Sequence, residues 1–529
     1  LRDIGNGENL LLSRATAQRM QMQDNGGNNS TSNEDAHEQL LKMQDDVMAN
    51  LSEGALDELK KTLKKAPRTR LGKGKGKKVV VIGGGTGGSI VAGALQIYAP
   101  DVSIILIDQK EYLEVTPSVP SAMVMEGRWD KIALMHDSYL RTEDKQDQLI
   151  IGRVVCINSD HVLVGSNKQV VPFDYCVNVS GSRYTSDIKT DNITMGHRRQ
   201  RMAKERENIK SCERVVCIGG GLVGVELASD IKDEFPDKDV TIIHRNSKLL
   251  PRIEAAHPLL MEHMNKVGIK TRLNKAAMPF QFDEDNRGYF PIVSTGGGGD
   301  EARAPEMTSG PLEDLDNDNQ DDRLYVEGTR VYWCTGYTPN TAHVKAGPFA
   351  SQLDDSGFCK ADEYLRIPGT ENIFVGGDCL EAQYFVNRER TSHYAALHAI
   401  AIATNITKSI EEEPLAKFVP PPDAKDNFIL CELGKTDAVM VLPQAYDGML
   451  AYFGEGQAAV EALLKPQPAP AGSMPARIGL IPGAGAFKMG FMDQLCGMYS
   501  GGPDGMKALI EMEQGVAGMV NVMRAPKGK

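Results

Sequence analysis

The chain lacks any uninterrupted apolar run of about 18 residues, so no transmembrane helix is expected. It also lacks a surplus of positive charge. Its 71 acidic residues outnumber 59 lysines and arginines, giving a formal net charge of -12. Nucleic acid is excluded as a partner class on that ground, because phosphate binding needs a concentrated basic face. Nine cysteines are present, at 156, 176, 212, 217, 334, 359, 379, 431 and 496, and no two form a CxxC pair. That scatter disfavours both a zinc site and a disulfide framework, so no metal is expected and a reducing compartment is favoured. No Met-Gly lipidation signal opens the sequence. The first residue is Leu1 and not Met, which suggests removal of an upstream segment, either an organelle-targeting peptide or an artificial trim.

At 529 residues the chain is too long for one ordinary core, and two or three domains are expected. Residues 1–76 read as an extension. Asn, Gly and Ser fill 25–33, a composition that buries too little apolar surface to order itself. Leu40, Leu41, Met43, Val47, Leu51, Leu56, Leu59 and Leu63 then recur at helical spacing and predict one or two amphipathic helices. The Gly-Lys run from Lys73 to Lys78 reads as a hinge or, more simply, as a solvated linker. Beyond it, Lys78-Val-Val-Val-Ile82 predicts a buried strand, followed at once by Gly83-Gly-Gly-Thr-Gly-Gly88 and an Ala-rich helix. A second strand, Ser103 to Ile107, ends on Asp108. The unit returns at Arg214 to Ile218, with Gly219-Gly-Gly-Leu-Val-Gly224 and a helix to about Phe235. Its second strand, Val240 to Ile243, ends on His244-Arg245. The polar stretch Gly296 to Asp322 reads as a disordered insertion at a hairpin tip. A helix over Ser392 to Ile410, a compact segment to about Gly456, a Pro/Ala linker at 465–472 and a Gly- and Met-rich tail complete the chain.

A single GxGxxG is a weak signal, but Gly83, Gly85 and Gly88 follow a strand and open a helix, with Asp108 lying 20 residues past the third glycine. Each feature has a mechanical purpose. The first glycine permits the tight turn, the second lets a pyrophosphate approach the backbone, and the third packs helix on strand. Helix N-terminal amides then bind phosphate. Gly219, Gly221 and Gly224 repeat the fingerprint 136 positions further on and continue as Val225-Glu226-Leu227-Ala228. Two copies imply two dinucleotides, and the simplest chemistry joining them is hydride transfer between a nicotinamide and a flavin. Asp108 suits the free ribose of FAD. No acid ends the second unit's equivalent strand, and Arg245 there can accommodate the 2′-phosphate of NADPH, so NADH or NADPH is the expected substrate. Arg245 reads equally well as an exposed surface arginine.

The run Gly219 to Ala228, the Gly377-Asp378 pair in Asn372-Ile-Phe-Val-Gly-Gly-Asp378 and the Thr335-Gly336 step resemble pyridine-nucleotide flavoprotein reductases with two dinucleotide domains. Within that superfamily the chain is most similar to the ferroptosis-suppressor branch of the apoptosis-inducing-factor family. Ile231 to His244, Leu397 to Ile406 and Phe428 to Val439 carry that likeness, which spans roughly residues 77 to 455. The resemblance implies an FAD enzyme that oxidises NAD(P)H and reduces quinones at membrane surfaces. It implies that Gly336, Gly377 and Asp378 help hold FAD, with Asp378 on its ribityl and pyrophosphate part. It places Thr116 and Pro117 against the isoalloxazine, as in type II NADH dehydrogenases, and Glu226 facing the nicotinamide and flavin. The branch's lysine near the flavin is missing here: Glu381 to His393 is a few residues longer and offers Arg388 and Arg390 instead. Arg390 is the candidate to supply positive charge, but an arginine cannot give up its proton at ordinary pH. A proton-relay role is therefore not carried over. His393 and His398 are the substitutes, each more simply read as structural. Disulfide reductases of this architecture carry a CxxxxC pair after the first ribose acid, and no cysteine lies between Asp108 and Cys156. Electrons are therefore expected to leave the flavin directly, for a diffusible acceptor such as a quinone.

The expected fold is α/β: two Rossmann-like dinucleotide-binding domains, the NAD(P)H domain inserted in the FAD domain, plus a small C-terminal segment. Expected boundaries are 1–76 for the extension, 77–205 and 336–410 for the FAD domain, 206–335 for the NAD(P)H domain with its insertion at 296–322, 411–460 for the C-terminal segment on the flavin side, and 461–529 for the tail. Quinones partition into lipid, so a place peripheral to a membrane is expected, in an organelle (plastid or mitochondrion) or the cytoplasm. The N-terminal extension and the Met-rich tail are the candidate contacts with a membrane or a protein complex. From Met506, residues Ala508, Leu509, Met512, Val516, Met519, Val520 and Met523 form one helical face that could dock, or could cover the protein's own surface. The rival readings are a type II NADH dehydrogenase of an organelle membrane and a redox-silent flavoprotein serving as a structural or assembly subunit.

Overall fold

Val79, Val80, Val81 and Ile82 are β-branched and buried, and the run beginning at Lys78 forms strand β1 (Lys78–Ile82). Helix α1 (Thr86–Tyr98) follows and stops before Pro100, which cannot extend it. Then come β2 (Ser103–Asp108), the short helix α2 (Val119–Val124), β3 (Gln148–Ile151) and β4 (Tyr175–Asn178). Helix α3 (Met195–Ser211) opens where the Thr194 hydroxyl accepts the His197 amide at 3.2 Å, an N-cap. It leads into β5 (Arg214–Ile218), α4 (Leu222–Glu234), β6 (Asp239–His244), β7 (Lys270–Leu273) and β8 (Thr329–Trp333). Strand β9 (Ile373–Val375) and helix α5 (Ser392–Ile410) precede the C-terminal elements. Those are β10 (Ile429–Leu433), β11 (Asp437–Pro443), β12 (Lys465–Pro466), β13 (Ala476–Pro482) and helix α6 (Ala484–Ser500). This computed structural model describes residues 76–510 and 512, apart from 143–145, 185–187, 284, 286, 296–322, 386–389, 419–428, 444–456, 468–475 and 502–503. Residues 1–75 of the N-terminal extension, the insertion at 296–322, Arg388 and the tail positions from Val516 onward lie outside the described residues.

Two parallel sheets organise the molecule. The first has the order β9-β4-β1-β2-β3, and the second β7-β6-β5-β8. Helices cover both faces of such sheets, which explains why β1 and β5 are near-continuous apolar runs instead of alternating ones. Strand β9 lies beyond the whole second sheet in sequence yet pairs with β4 of the first. The chain therefore leaves the first unit, builds the second, and returns.

Near the C-terminus an antiparallel sheet has the order β10-β11-β13-β12. Strand β13 pairs with the length of β11, from Asp437↔Pro482 to Pro443↔Ala476. The expected break at 460/461 therefore falls inside one sheet, because the Pro/Ala stretch marks a connection between strands. This sheet also sits elsewhere than expected. Its β10–β11 hairpin packs on the second unit: the Lys435 amide donates to Asp233 at 3.1 Å, and the Lys435 ammonium pairs with Glu234 at 2.9 Å.

The tail's apolar face is partly covered by the chain itself. Met506, Leu509 and Ile510 are buried, and a side chain at Gly93 of α1 would strike Met506. Full burial of each such residue stabilises by roughly 1.5–3 kcal/mol, which favours packing on α1 over an exposed docking face. Among the described residues no helix is long and apolar enough to cross a membrane.

Candidate nucleotide and hydride-transfer site

The two fingerprints form equivalent loops in the same register. Ile82 lies opposite Ile107 and Ile218 opposite Ile243, so the next residues, Asp108 and His244, occupy matching positions. Gly83 donates its amide to Ile107 at 2.8 Å, and Gly219 does the same to Ile243 at 2.8 Å. Both have positive φ, +99° and +120°, and a Cβ on either would lie 2.6 Å from the carbonyl oxygen at the end of the third strand, Val179 or Cys334. Gly88 and Gly224 hold the helices against the loops, since a Cβ there would overlap the Gly83 or Gly219 carbonyl. Gly85 and Gly221 differ: a Cβ on either would find nothing within 4 Å. They face open space at the N-termini of α1 and α4.

Neither helix has a side-chain cap or an acidic residue in its first turn. Their first amides are thus available to an anion, reinforced by the helix dipole. That is the arrangement a pyrophosphate needs, so both loops fit a dinucleotide. Behind each loop, the Asp108 carboxylate accepts the Gly84 amide, while His244 Nδ1 accepts the Gly220 amide at 3.0 Å. The second loop therefore has an imidazole at the position that the Asp108 carboxylate holds in the first. Arg245 follows immediately and is exposed.

Asp378 sits in a turn at Gly377–Cys379, just after β9. Its carboxylate accepts the Ser182 hydroxyl and the Lys189 ammonium, each at 2.7 Å. Burial opposes its ionisation, but Lys189 and Ser182 outweigh that and hold the carboxyl below its usual range. Arg390 lies behind this turn. It donates to the Asp378 carbonyl at 3.0 Å, the Leu380 carbonyl at 2.6 Å and the Tyr337 hydroxyl at 3.0 Å. Its guanidinium also lies 4.1 Å from the Phe358 ring and 4.3 Å from the Phe385 ring. His398 of α5 accepts the Gly377 amide at 3.3 Å, and burial pushes its pKa down to about 3. Across ordinary pH it stays neutral and buttresses the turn, as its structural reading anticipates. Gly336 has φ +70° and nothing within 4 Å of its Cβ position.

Thr116 and Pro117 form a single turn, Thr116–Ser118, leading into α2. Buried Glu114 fixes its approach, accepting Trp129 Nε1 at 2.6 Å and Arg198 Nε at 2.7 Å. Helix α2 packs on α3 and α4, so this turn lies where the two units meet.

Glu226 is buried on α4, the helix of the second loop. Its carboxylate accepts Lys488 Nζ at 2.6 Å and the Glu432 amide at 3.3 Å. Glu226 and Arg390 thus belong to separate groups of contacts, one under the second loop and one under the Asp378 turn. Among the described residues no group of three or more His, Cys, Asp or Glu side chains is arranged to hold a metal ion.

Residues 59–401 match the pyridine nucleotide-disulphide oxidoreductase family. The chain belongs to that family. It is accordingly an α/β oxidoreductase that uses FAD and takes NAD(P)H as substrate. Ferroptosis suppressor protein 1 of Mus musculus is 25% identical over 383 residues, covering 70% of this chain and 90% of that protein. Apoptosis-inducing factor homolog B of Dictyostelium discoideum is 24% identical over 353 residues, covering 64% and 84%. The expected likeness to the apoptosis-inducing-factor-like and ferroptosis-suppressor-like proteins therefore holds. Among solved structures, the sulfide:quinone oxidoreductase of Aquifex aeolicus aligns with a TM-score of 0.57 at 18% identity, covering 80% of this chain and 92% of that one. The ferredoxin reductase of Rhodopseudomonas palustris aligns with a TM-score of 0.53 at 15% identity, covering 76% and 91%. Both share the fold.

Sequence reasoning missed Ser182, Lys189, Asp230, Glu432 and Lys488. Lys488 is 262 positions from Glu226, and no local pattern links the two. Asp230 had a visible cue, being one helical turn after Glu226 on the same face.

Proposed function

We propose that the chain passes electrons from NAD(P)H through FAD to a quinone-type acceptor. The observation that carries the acceptor is the missing redox thiol pair. All nine cysteines are free, and none lies between Asp108 and Cys156, where a disulfide reductase of this architecture needs its pair. The absence of a pair at that place speaks against a relay through a protein disulfide there and favours a small diffusible acceptor that meets the flavin directly. Quinone is the acceptor in the name of the Aquifex aeolicus neighbour, and the likeness to ferroptosis suppressor protein 1 points the same way.

In this reading the α1 N-terminus, Gly83, Gly85, Gly88 and Asp108 hold the adenosine and pyrophosphate of FAD. Asp378, kept ionised by Lys189, binds its ribityl side, with Gly377 and Gly336 leaving room for the chain to approach. Thr116 and Pro117 border the flavin ring. The α4 N-terminus, Gly219, Gly221, Gly224 and Arg245 hold NAD(P)H, and Glu226 faces the nicotinamide. Bound FAD supplies a two-electron carrier between nucleotide and acceptor. Arg390 acts as a positioning residue, its donors spent on the carbonyls that shape the Asp378 turn. The protein's contribution is orientation and fixed charge, with little acid–base chemistry. A place at a membrane surface goes with a lipid-soluble acceptor.

The test is anaerobic turnover of the full chain with NADH and NADPH, offering a soluble ubiquinone analogue, glutathione disulfide or lipoamide. Rapid turnover with the quinone alone is expected. Turnover with either disulfide, and none with the quinone, would overturn the acceptor assignment.

A further inference from the structure

The family match ends at residue 401, yet the carboxylate expected to face the nicotinamide is held from beyond it. Two polar attachments of helix α6 bear on the site. Asp493 pairs with Arg128, whose guanidinium also donates to the Met489 carbonyl at 3.0 Å and to Ser118, in the turn carrying Thr116 and Pro117, at 3.4 Å. One turn earlier, Lys488 enters the protein and places its ammonium 2.6 Å from Glu226 and 3.7 Å from Glu432. The helix thus touches both units at the faces where flavin and nicotinamide are expected.

Charge makes the second attachment decisive. Glu226 and Asp230 come from α4 and Glu432 from β10, and all three are buried with Lys488. Asp230 accepts no hydrogen bond among the described residues. Asp233 lies further along α4, Cys431 flanks Glu432, and Arg128 is the next cation, already paired with Asp493. Burial raises the Asp230 carboxyl well above its usual range, followed by the charges of Glu432 and Glu226. Burial raises Glu226 as well, and the Lys488 ammonium is the main force opposing that. Removing one ammonium from among three buried carboxyls would leave Glu226 without a counter-charge and without the donor that fixes its rotamer.

We propose that Lys488, delivered by the C-terminal helix, is a positioning residue of the hydride-transfer site, its ammonium supplying the counter-charge and the donor that aim Glu226, so that the nucleotide half is complete only with helix α6 seated. This rests on the reading that Glu226 faces the nicotinamide. An ionised Glu226 would favour the cationic ring of NAD+ over the neutral ring of NADH, which gives a readout that needs no turnover.

The experiment uses the full FAD-loaded chain with Lys488→Met, Glu226→Gln and both together. Lys488→Met with Glu432→Gln serves as a second variant, losing one carboxylate along with the cation in case the single change does not fold. Lys488→Met is expected to slow flavin bleaching by NADH about 10- to 100-fold. It should also make that rate rise with pH, because Glu226 must then lose a proton, and weaken NAD+ by about tenfold in calorimetry with less change for NADH. In the Glu226→Gln background the same change should add almost nothing, since both act through one group. Bleaching within about twofold of the unmodified chain, with the same pH profile and NAD+ affinity, would overturn the inference while leaving the hydride reading intact. Equal slowing with and without Glu226 would also overturn it, because Lys488 would then be only structural. If the unmodified chain is not bleached by NADH or NADPH, the hydride reading itself fails, and the inference with it.

Discussion

Gly85 and Gly88 lie three positions apart in one loop, but the structure assigns them different duties that a pair of methyl groups can separate. At Gly88 an added methyl would overlap the Gly83 carbonyl, with the carbonyl carbon at 2.9 Å and Val81 Cγ1 at 3.4 Å. These are mostly backbone atoms that cannot swing aside, so Gly88→Ala should destabilise the fold by about 1–3 kcal/mol or more. At Gly85 the φ is -70°, which alanine accepts, and nothing lies within 4 Å. Gly85→Ala should therefore cost only about 1 kcal/mol or less as an N-cap change. Its methyl would instead occupy the space a pyrophosphate must enter. We expect FAD affinity to fall by about 100-fold, equivalent to about 2.8 kcal/mol. Urea unfolding of the apoprotein reads the first quantity, and flavin absorbance per chain after gel filtration reads the second. Gly221→Ala should mirror Gly85→Ala at the other loop, keeping FAD and raising KM for NAD(P)H. The reasoning is refuted if Gly85→Ala retains FAD as the unmodified chain does, or if Gly221→Ala sheds the flavin.

Three further outcomes are expected. Arg245→Ala should raise KM for NADPH by about tenfold, with NADH little changed, because only the 2′-phosphate needs the guanidinium; an unchanged ratio would remove Arg245 from the site. Burial lifts the Glu432 carboxyl from its ordinary 4.5 to about 7, despite the opposing pull of Lys488. The folded state then binds more protons than the unfolded state between those values, so stability should fall as pH rises through that window. Urea unfolding from pH 4.5 to 8 should show this slope, and Glu432→Gln should flatten it; an unaltered slope would clear Glu432 of the effect. Lys189→Met should let the Asp378 pKa rise, so that FAD is released at a higher pH during acid titration than in the unmodified chain, as followed by flavin fluorescence. Identical release curves would show that Lys189 does not set the charge of Asp378.

The paired loops were legible because their constraints are local. A tight turn, a close helix–strand approach and a strand-end side chain all fall within about 25 residues, and each demands a particular residue type. Strand β1, helix α5 and the positions of Asp108 and His244 follow from such patterns. The part His244 plays was not visible, because its bond to the Gly220 amide depends on the register between β5 and β6. The Asp378–Lys189 pair and the Lys488 cluster were hidden for a stronger reason, since each joins residues from distant elements through packing alone. The C-terminal boundary was misplaced because Pro and Ala at 465–472 signal a break in regular structure, and composition cannot say whether the sheet resumes beyond it. The Met-rich face was legible as amphipathic, but which surface covers Met506 and Leu509 is a tertiary matter.

The central claim is that one chain holds two dinucleotides in contact so that a hydride passes between them. Anaerobic mixing of the purified, flavin-loaded protein with stoichiometric NADH or NADPH tests it most directly. The account predicts complete bleaching of the flavin absorbance by one equivalent of nucleotide, lost when Gly221 is replaced by alanine at the same nucleotide concentration. A bound flavin that keeps its oxidised spectrum in excess of both nucleotides would contradict it.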